Sequence, residues 1–382
     1  MNPVRRKIEL IMDENTGSSV FSFSTLLSLF SWGYEGLVRT RNFLYQSGFF
    51  QVRKLPCRVI SIGNICVGGT GKTPTTLYTA ELLKNMGYKV CIISRGYKGR
   101  AEKNGGIVSD GGTILMDVNE AGDEPFMMAG LLKETPVIVG RDRFGAGMKA
   151  VRRFAPDVVL LDDGFQHRKL FRDLDMVLLD YRKPLGNRRL LPRGRLREPP
   201  EALARSHALV FTRSGDEESR EREKHLSAIG LTRNKRCFFA RHEPFLERVM
   251  EKDGNPSQIV DPDGLNRLQG KRVFAFSGIA DNRSFLNTLD HYCGGVGGYM
   301  EFPDHHPYGK KDFSAISRAA LAMEADLIVT TQKDAVKIPG HIKWPAQFGV
   351  MGIKISLGED EDDFRAFLLE FLMNKEEDIH HV

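Results

Sequence analysis

Residues 58–74, RVISIGNICVGGTGKTP, set a β-branched run, a glycine-rich turn and a Lys-Thr pair in one order. That order suits phosphate chemistry. Gly68, Gly69 and Gly71, with Thr70 between them, let backbone N–H groups turn inward around phosphate oxygens. Lys72 is placed to reach β- and γ-phosphates, and the Thr73 hydroxyl is a ligand type for Mg²⁺. The usual pattern has a glycine five residues before Gly71. Here that residue is Cys66, so Gly68 and Gly69 are expected to supply the flexibility instead. An ordinary glycine-rich turn with an exposed lysine is the rival reading, and it leaves the order of strand, Lys-Thr and helix unexplained.

Other residues fit the same chemistry. Val158-Val159-Leu160-Leu161 runs into Asp162-Asp163, the place where a phosphate-loop enzyme holds Mg²⁺. Gln166 follows closely and can orient phosphate or metal-bound water. Gly122-Asp123-Glu124-Pro125 opens a helix. Asp123 reads there either as an ordinary N-cap or as a base beside the phosphates. Arg95, Arg141 and Arg143 follow apolar runs ending at Ser94 and Val139, where a guanidinium can grip phosphate oxygens or simply face solvent. Pro303-Asp304-His305-His306-Pro307-Tyr308 is a compact polar cluster. It reads as an exposed loop or as an Asp–His unit for proton transfer, and a metal site there lacks a further ligand.

The elements that must carry these residues alternate. Strands are expected at Val59–Ile62, Val90–Ser94, Val137–Val139, Val158–Asp162, Met176–Leu179 and Leu209–Thr212, with helices at Thr75–Met86, Pro125–Lys133 and Ala146–Phe154. Apolar strands alternating with helices predict an α/β fold: a parallel sheet covered on both faces, with ligands at the strands' C-terminal ends. The basic, proline-rich stretch 182–200 reads as a loop, either a hinge or an anion-binding lip. Residues 214–225 read as a solvated helix. Further strands at Val273–Ser277, Leu327–Thr331 and Gly349–Ser356 suggest a smaller second α/β unit, and the tail EEDIHHV reads as frayed. The expected organisation is a helical region over 1–55, a phosphate-loop core over 56–205 and a smaller unit over 206–382 that closes over the site.

The chain has 382 residues, a formal net charge of +6 and five scattered cysteines with no CxxC pair, which argues against a disulfide framework or zinc site. The basic balance suits an anionic partner. Residues 15–34 carry no charge but are rich in Phe, Leu and Ser, and Arg5, Arg6, Lys7, Arg39, Arg41, Arg53 and Lys54 flank them. This composition predicts a helix lying in one leaflet of a membrane, in preference to one packed on the protein's own core or one that spans the bilayer.

Several motifs together resemble the tetraacyldisaccharide 4′-kinase family. They are Gly63-Asn64 with Gly68-Gly69-Thr70-Gly71-Lys72-Thr73-Pro74, Ser94-Arg95-Gly96-Tyr97, Gly122-Asp123-Glu124-Pro125 and Leu161-Asp162-Asp163-Gly164-Phe165-Gln166-His167. Leu190-Leu191-Pro192, Leu196-Arg197-Glu198-Pro199, Phe302-Pro303-Asp304-His305 and Thr331-Gln332-Lys333-Asp334-Ala335-Val336-Lys337 complete the set. The resemblance runs from about residue 20 to about residue 340. Arg193 and Arg195 depart from it, adding charge after Leu-Leu-Pro. It implies a kinase moving the ATP γ-phosphate to the 4′-hydroxyl of an anionic lipid, tetraacyldisaccharide 1-phosphate, with Mg²⁺. It also implies a peripheral or monotopic place on the cytoplasmic face of the bacterial inner membrane. A monomer without nucleic-acid partners is expected. By this resemblance Lys72, Gly68, Gly69, Thr70 and Gly71 hold the phosphates. Thr73, Asp162 and Asp163 hold Mg²⁺, with Glu124 and Gln166 helping. Asp123 takes the hydroxyl proton beside His305, and Arg143 and Arg95 neutralise charge on the transferring group.

Two other classes remain to be weighed. A guanine-nucleotide switch would carry an Asn/Thr-Lys-x-Asp motif, but in Thr331-Gln332-Lys333-Asp334 the Lys and Asp are adjacent. A basic nucleic-acid-binding ATPase would need a nucleic-acid module, and none is evident.

Overall fold

The computed structural model describes residues 23–215, 235–252 and 264–373, together with residues 12, 222, 226, 230, 256 and 257. The flanking Arg5, Arg6 and Lys7, most of the helix expected at 214–225 and the expected frayed tail lie outside the described residues. So does the start of the uncharged stretch.

Helix α1 (Phe23–Gln46) buries Leu27, Ser31 and Val38 along one side. Leu29, Phe30, Trp32 and Leu37 stay exposed on the same helix. Strand β1 (Arg58–Asn64) then enters the core and is buried beyond its first residue. A glycine turn leads to α2 (Lys72–Asn85). There follow β2 (Val90–Ser94), β3 (Gly106–Ser109), α3 (Asp123–Leu131), β4 (Val137–Val139), α4 (Arg143–Phe154), β5 (Val158–Asp162), β6 (Leu174–Asp180) and β7 (Ala208–Thr212). Strands β2, β4, β5 and β7 are buried along their whole length. That is what β-branched and leucine-rich runs give when helices cover both faces of a sheet.

The later elements are β8 (Arg236–Met250), β9 (Pro256–Ser257), β10 (Val273–Ser277), α5 (Asn282–Cys293), β11 (Val296–Glu301), α6 (Lys310–Ala322), β12 (Leu327–Thr331), β13 (Gln347–Ser356) and α7 (Glu361–Met373). One sheet runs through everything in the order β11-β10-β12-β13-β8-β7-β6-β1-β5-β2-β4-β3, with β9 beside β8. The 15-residue β8 makes it continuous. Its first residues pair parallel with β7, and the rest pairs antiparallel with β13. Strand β3 is antiparallel to β4, and the remaining pairings along the path are parallel. Helix α7 returns to the first half, where Phe364, Leu368 and Leu372 join Ala80, Leu83 and Ile60 in one core.

The stretch 182–200 is neither a free loop nor a hinge between sheets. Leu185, Leu190 and Leu196 are buried. The Val67 N–H donates to the Arg195 carbonyl at 2.8 Å and the Arg197 N–H to the Ile65 carbonyl at 2.6 Å. The same stretch anchors α1. Ser31 Oγ donates to the Leu190 carbonyl at 2.8 Å, and Tyr34 Oη to the Arg197 carbonyl at 3.0 Å. Glu198, fully buried, accepts from Arg205 at 2.8 Å and Asn42 at 3.0 Å. The basic and proline content of 182–200 reads as a loop, hinge or anion-binding lip, but its leucines tie it into the core.

Candidate functional site

The C-terminal ends of β1, β2, β5, β10 and β12 open onto one cleft of 2820 Å³. The phosphate loop, Asp162, Asp163, Arg143, Glu124, His305 and Lys333 all line it. Lys72 is the first residue of α2, so the loop amides and the helix N-terminus face the same space. Gly71, at φ +80°, occupies the left-handed region that a side chain would resist. A Cβ there would meet His242 Nε2 at 2.5 Å. The loop is braced from below: Asn64 Nδ2 donates to Thr70 Oγ1 at 2.7 Å, and Thr212 Oγ1 to the Thr70 carbonyl at 3.0 Å.

Asp162 ends β5 and is 2% exposed. It accepts from Ser94 Oγ at 3.1 Å and from Thr76 Oγ1 at 3.4 Å. Burial, then the nearby charges of Glu124 and Asp163, raise its carboxyl above the ordinary range. Asp163, at φ +52°, turns back toward Lys72, whose Nζ is 3.9 Å away. Arg197 Nη1 also reaches it, at 3.0 Å. Burial pushes the Asp163 carboxyl up, but Lys72 and Arg197 outweigh this and hold it low.

These residues suit a divalent cation. Asp162 is a buried carboxylate held among like charges, and it and Thr73 both line the cleft. No group of three or more His, Cys, Asp or Glu forms a cation site among the described residues. A cation here would therefore draw further ligands from bound phosphates and water, as Mg²⁺ commonly does.

The structure also spends some expected residues differently. Gln166 Nε2 donates to the Asn64 carbonyl at 2.7 Å, so it braces the phosphate loop. Arg95 Nε donates to Glu102 at 2.7 Å and is half exposed. Arg143 starts α4 and is 3% exposed. Its Nη1 donates to the Gly140 carbonyl at 2.6 Å, while its buried Nε has no protein partner. Burial pulls this guanidinium down to about 10, against the pull of Asp162 and Asp163. Arg141 lines the cleft as well.

At the other end of the cleft, Asp123 Oδ2 and His305 Nδ1 lie 3.0 Å apart although 182 positions separate them. Gly122 holds the cap position, at φ +87°, where a Cβ would meet the Tyr97 carbonyl oxygen at 2.9 Å. Asp123 is then the first helical residue, and its carboxylate is not an N-cap. Lys337 Nζ stands 3.6 Å from Asp123 Oδ2. Burial pushes the Asp123 carboxyl up, but the bond to His305 and the charge of Lys337 outweigh it and hold the group low. His305 itself adopts φ +61°, a strained setting of the kind that gathers at functional sites. His306 turns away and pairs with Asp312 at 3.1 Å.

Lys333 and Lys337 have no role legible from the motifs alone. Lys333 Nζ lies 3.0 Å from Asp304 Oδ1, 3.3 Å from Glu124 Oε1 and 3.3 Å from His305 Nε2. Burial lowers this ammonium's affinity for its proton, but Glu124 and Asp304 reverse that and raise it. The signal was the spacing: Lys333 and Lys337 are four apart just after a strand end, within and just beyond the single turn Gln332–Ala335. Asp334 is fully buried and binds the Gly278 N–H at 2.9 Å and Lys337 at 2.8 Å. It has no carboxylate oxygen left for a guanine base.

The family described as tetraacyldisaccharide-1-P 4′-kinase (LpxK) matches residues 23–373. A tetraacyldisaccharide 4′-kinase of Desulfatibacillum aliphaticivorans is 39% identical over 376 residues, covering 96% of this chain and 98% of the relative. One of Syntrophus aciditrophicus is 42% identical over 323 residues, covering 83% and 84%. Among solved structures, the apo form of LpxK from Aquifex aeolicus in complex with ATP superposes with a TM-score of 0.69 at 34% identity, over 92% of this chain and all of that one.

Proposed function

The chain belongs to the tetraacyldisaccharide-1-P 4′-kinase family, and from that premise we propose how its cleft divides the work of phosphoryl transfer. The protein is an ATP-dependent kinase that phosphorylates the 4′-hydroxyl of tetraacyldisaccharide 1-phosphate in lipid A biosynthesis. The 4′-oxygen forms a bond to the γ-phosphorus, the bond from that phosphorus to the β–γ bridging oxygen breaks, and the hydroxyl proton leaves. Positioning and charge neutralisation carry most of such a transfer.

Lys72 and the amides of Gly68–Thr73 hold the β- and γ-phosphates. Thr73 and Asp162 hold Mg²⁺, which when bound neutralises charge on the phosphates. Asp163 positions Lys72, and Glu124 acts at the boundary between this cradle and Lys333. Arg143 offers its unpartnered Nε to the transferring group. Asp123 accepts the proton from the 4′-hydroxyl with His305 orienting it. The observation that carries this reading is that the phosphate loop and His305 line one cleft, with Asp123 bonded to His305 at 3.0 Å. The far part of the sheet, β10–β12 with the loop that carries His305, closes over the phosphate loop as substrates enter and leave, while β7 and α7 stay with the first half's core. ATP-dependent appearance of a 4′-phosphate on tetraacyldisaccharide 1-phosphate, assayed with purified protein, tests the activity.

The substrate's lipid nature gives α1 its place. Leu29, Phe30 and Trp32 are more than half exposed, and no helix among the described residues is long and apolar enough to cross a membrane. The helix lies on the cytoplasmic surface of the inner membrane and brings the cleft to its lipid. Replacing those three residues with Ser should move much of the protein to the soluble fraction while turnover on detergent-dispersed lipid holds. Unchanged fractionation would count against it.

A further inference from the structure

We infer that Lys333 is a positioning residue that fixes the tautomer of His305, so that the ring proton sits on Nδ1 and points at Asp123. The inference rests on the Asp123–His305 pairing proposed above and adds the residue that orients it.

Lys333 has as many donors as it has acceptors around it. An ammonium has three N–H bonds and no acceptor. Around Lys333 Nζ stand three acceptors within hydrogen-bonding reach: Asp304 Oδ1, Glu124 Oε1 and His305 Nε2. Each N–H thus has one partner, and the ring nitrogen among them must accept. A neutral imidazole carries its single proton on the other nitrogen. That nitrogen, Nδ1, faces Asp123 Oδ2 at 3.0 Å and donates to it.

The alternatives fit less well. A proton on Nε2 would have Asp304 Oδ2 as its acceptor, but that oxygen is 3.7 Å away, beyond hydrogen-bonding distance. It would also leave Nδ1 as an unprotonated acceptor facing a carboxylate, with two lone pairs opposed. A ring protonated on both nitrogens would face the Lys333 ammonium at 3.3 Å, cation against cation. The backbone makes the arrangement rigid. The His305 N–H donates to the Gly278 carbonyl at 3.2 Å, while the Gly278 N–H binds Asp334 at 2.9 Å. Asp334 and Lys333 are neighbours on the single turn Gln332–Ala335 after β12. One short segment therefore sets both the position of the ring and the direction of its proton.

The consequence for the reaction is directional. With Nδ1–H bonded to one oxygen of Asp123, the other oxygen is left for the substrate hydroxyl. Lys333 touches neither substrate nor phosphate in this scheme and acts through the ring.

The test is ¹⁵N spectroscopy of the full-length protein with labelled histidine rings, near neutral pH. His305 is assigned by the signals that vanish in His305→Gln. The expected spectrum has a protonated Nδ1 and an unprotonated Nε2 at His305. In Lys333→Met the Nε2–H form should appear. Its kcat should fall by about tenfold or more with little change in KM for ATP, and Lys333→Arg should recover part of the loss. An Nε2-protonated or doubly protonated ring in the unmodified protein overturns the inference, as does an unchanged tautomer in Lys333→Met. If that variant fails to fold, the unmodified protein's spectrum decides. Failure of the pairing itself is separate: it would show as near-normal turnover of both Asp123→Ala and His305→Ala, whatever the tautomer.

Discussion

The two ends of the cleft are built in opposite ways. The phosphate cradle comes from one strand, one turn and one helix that follow each other, closed by the end of the adjacent β5. Its key carboxylate, Asp162, is shifted upward because burial and like charges oppose ionisation. The end proposed to accept the proton joins α3 of the first half to the loop after β11 and the turn after β12. Its key carboxylate, Asp123, is shifted downward, because His305 and Lys337 outweigh its burial. At one end the surroundings oppose the carboxylate's charge; at the other the protein's own residues favour it.

The largest effects should come from the cradle. Lys72→Ala and Asp162→Ala should each lower turnover at least about a hundredfold, because each removes preorganised charge from the phosphates or the cation. Near-normal turnover in either would dismantle the cradle assignment. Gly71→Ala should weaken ATP binding by roughly ten- to a hundredfold. The left-handed φ costs about 1–3 kcal/mol, and the added Cβ would drive into His242. Equilibrium binding of ATP measures this, and unaltered affinity would mean the turn has room that its geometry denies.

A smaller effect contrasts the two ends directly. A carboxyl raised in the folded state binds its proton more tightly there than in the unfolded chain, so folding gains as pH falls toward the ordinary carboxylate value of about 4. A depressed carboxyl contributes stability that is full above that value and is lost as pH falls through its folded value. Asp162→Asn should therefore raise the melting temperature of the ligand-free protein at neutral pH, though turnover is lost. Asp123→Asn should lower it. Shifts of the same sign in both variants would erase the contrast.

The sequence revealed the two ends unequally, for the same structural reason. Strands β2, β4, β5, β10 and β12 fall where their apolar runs begin and end, since burial on both faces leaves a clean signal. The 15-residue β8 was not legible. It is only partly buried, so Arg241, His242, Glu243 and Arg248 interrupt its pattern. Without it, one sheet reads as two. The helices were expected to start at Thr75, Pro125 and Ala146, but they start at Lys72, Asp123 and Arg143. Each first turn carries a polar functional residue where periodicity would want an apolar one. The meeting of Asp123 with His305 was open to chemical reasoning, because a hydroxyl acceptor needs a base. The role of Lys333 was legible only as a spacing, since its partners lie on two segments far from it in sequence, Glu124 and the adjacent Asp304 and His305.

The central claim is that Asp123 and His305 form one unit although different halves of the sheet present them. Turnover of Asp123→Ala, His305→Ala and the double variant, at saturating ATP and lipid, tests it most directly. Members of a unit are non-additive, so the double variant should be about as slow as either single one. If the two single losses multiply in the double variant, the residues act independently and the claim is wrong.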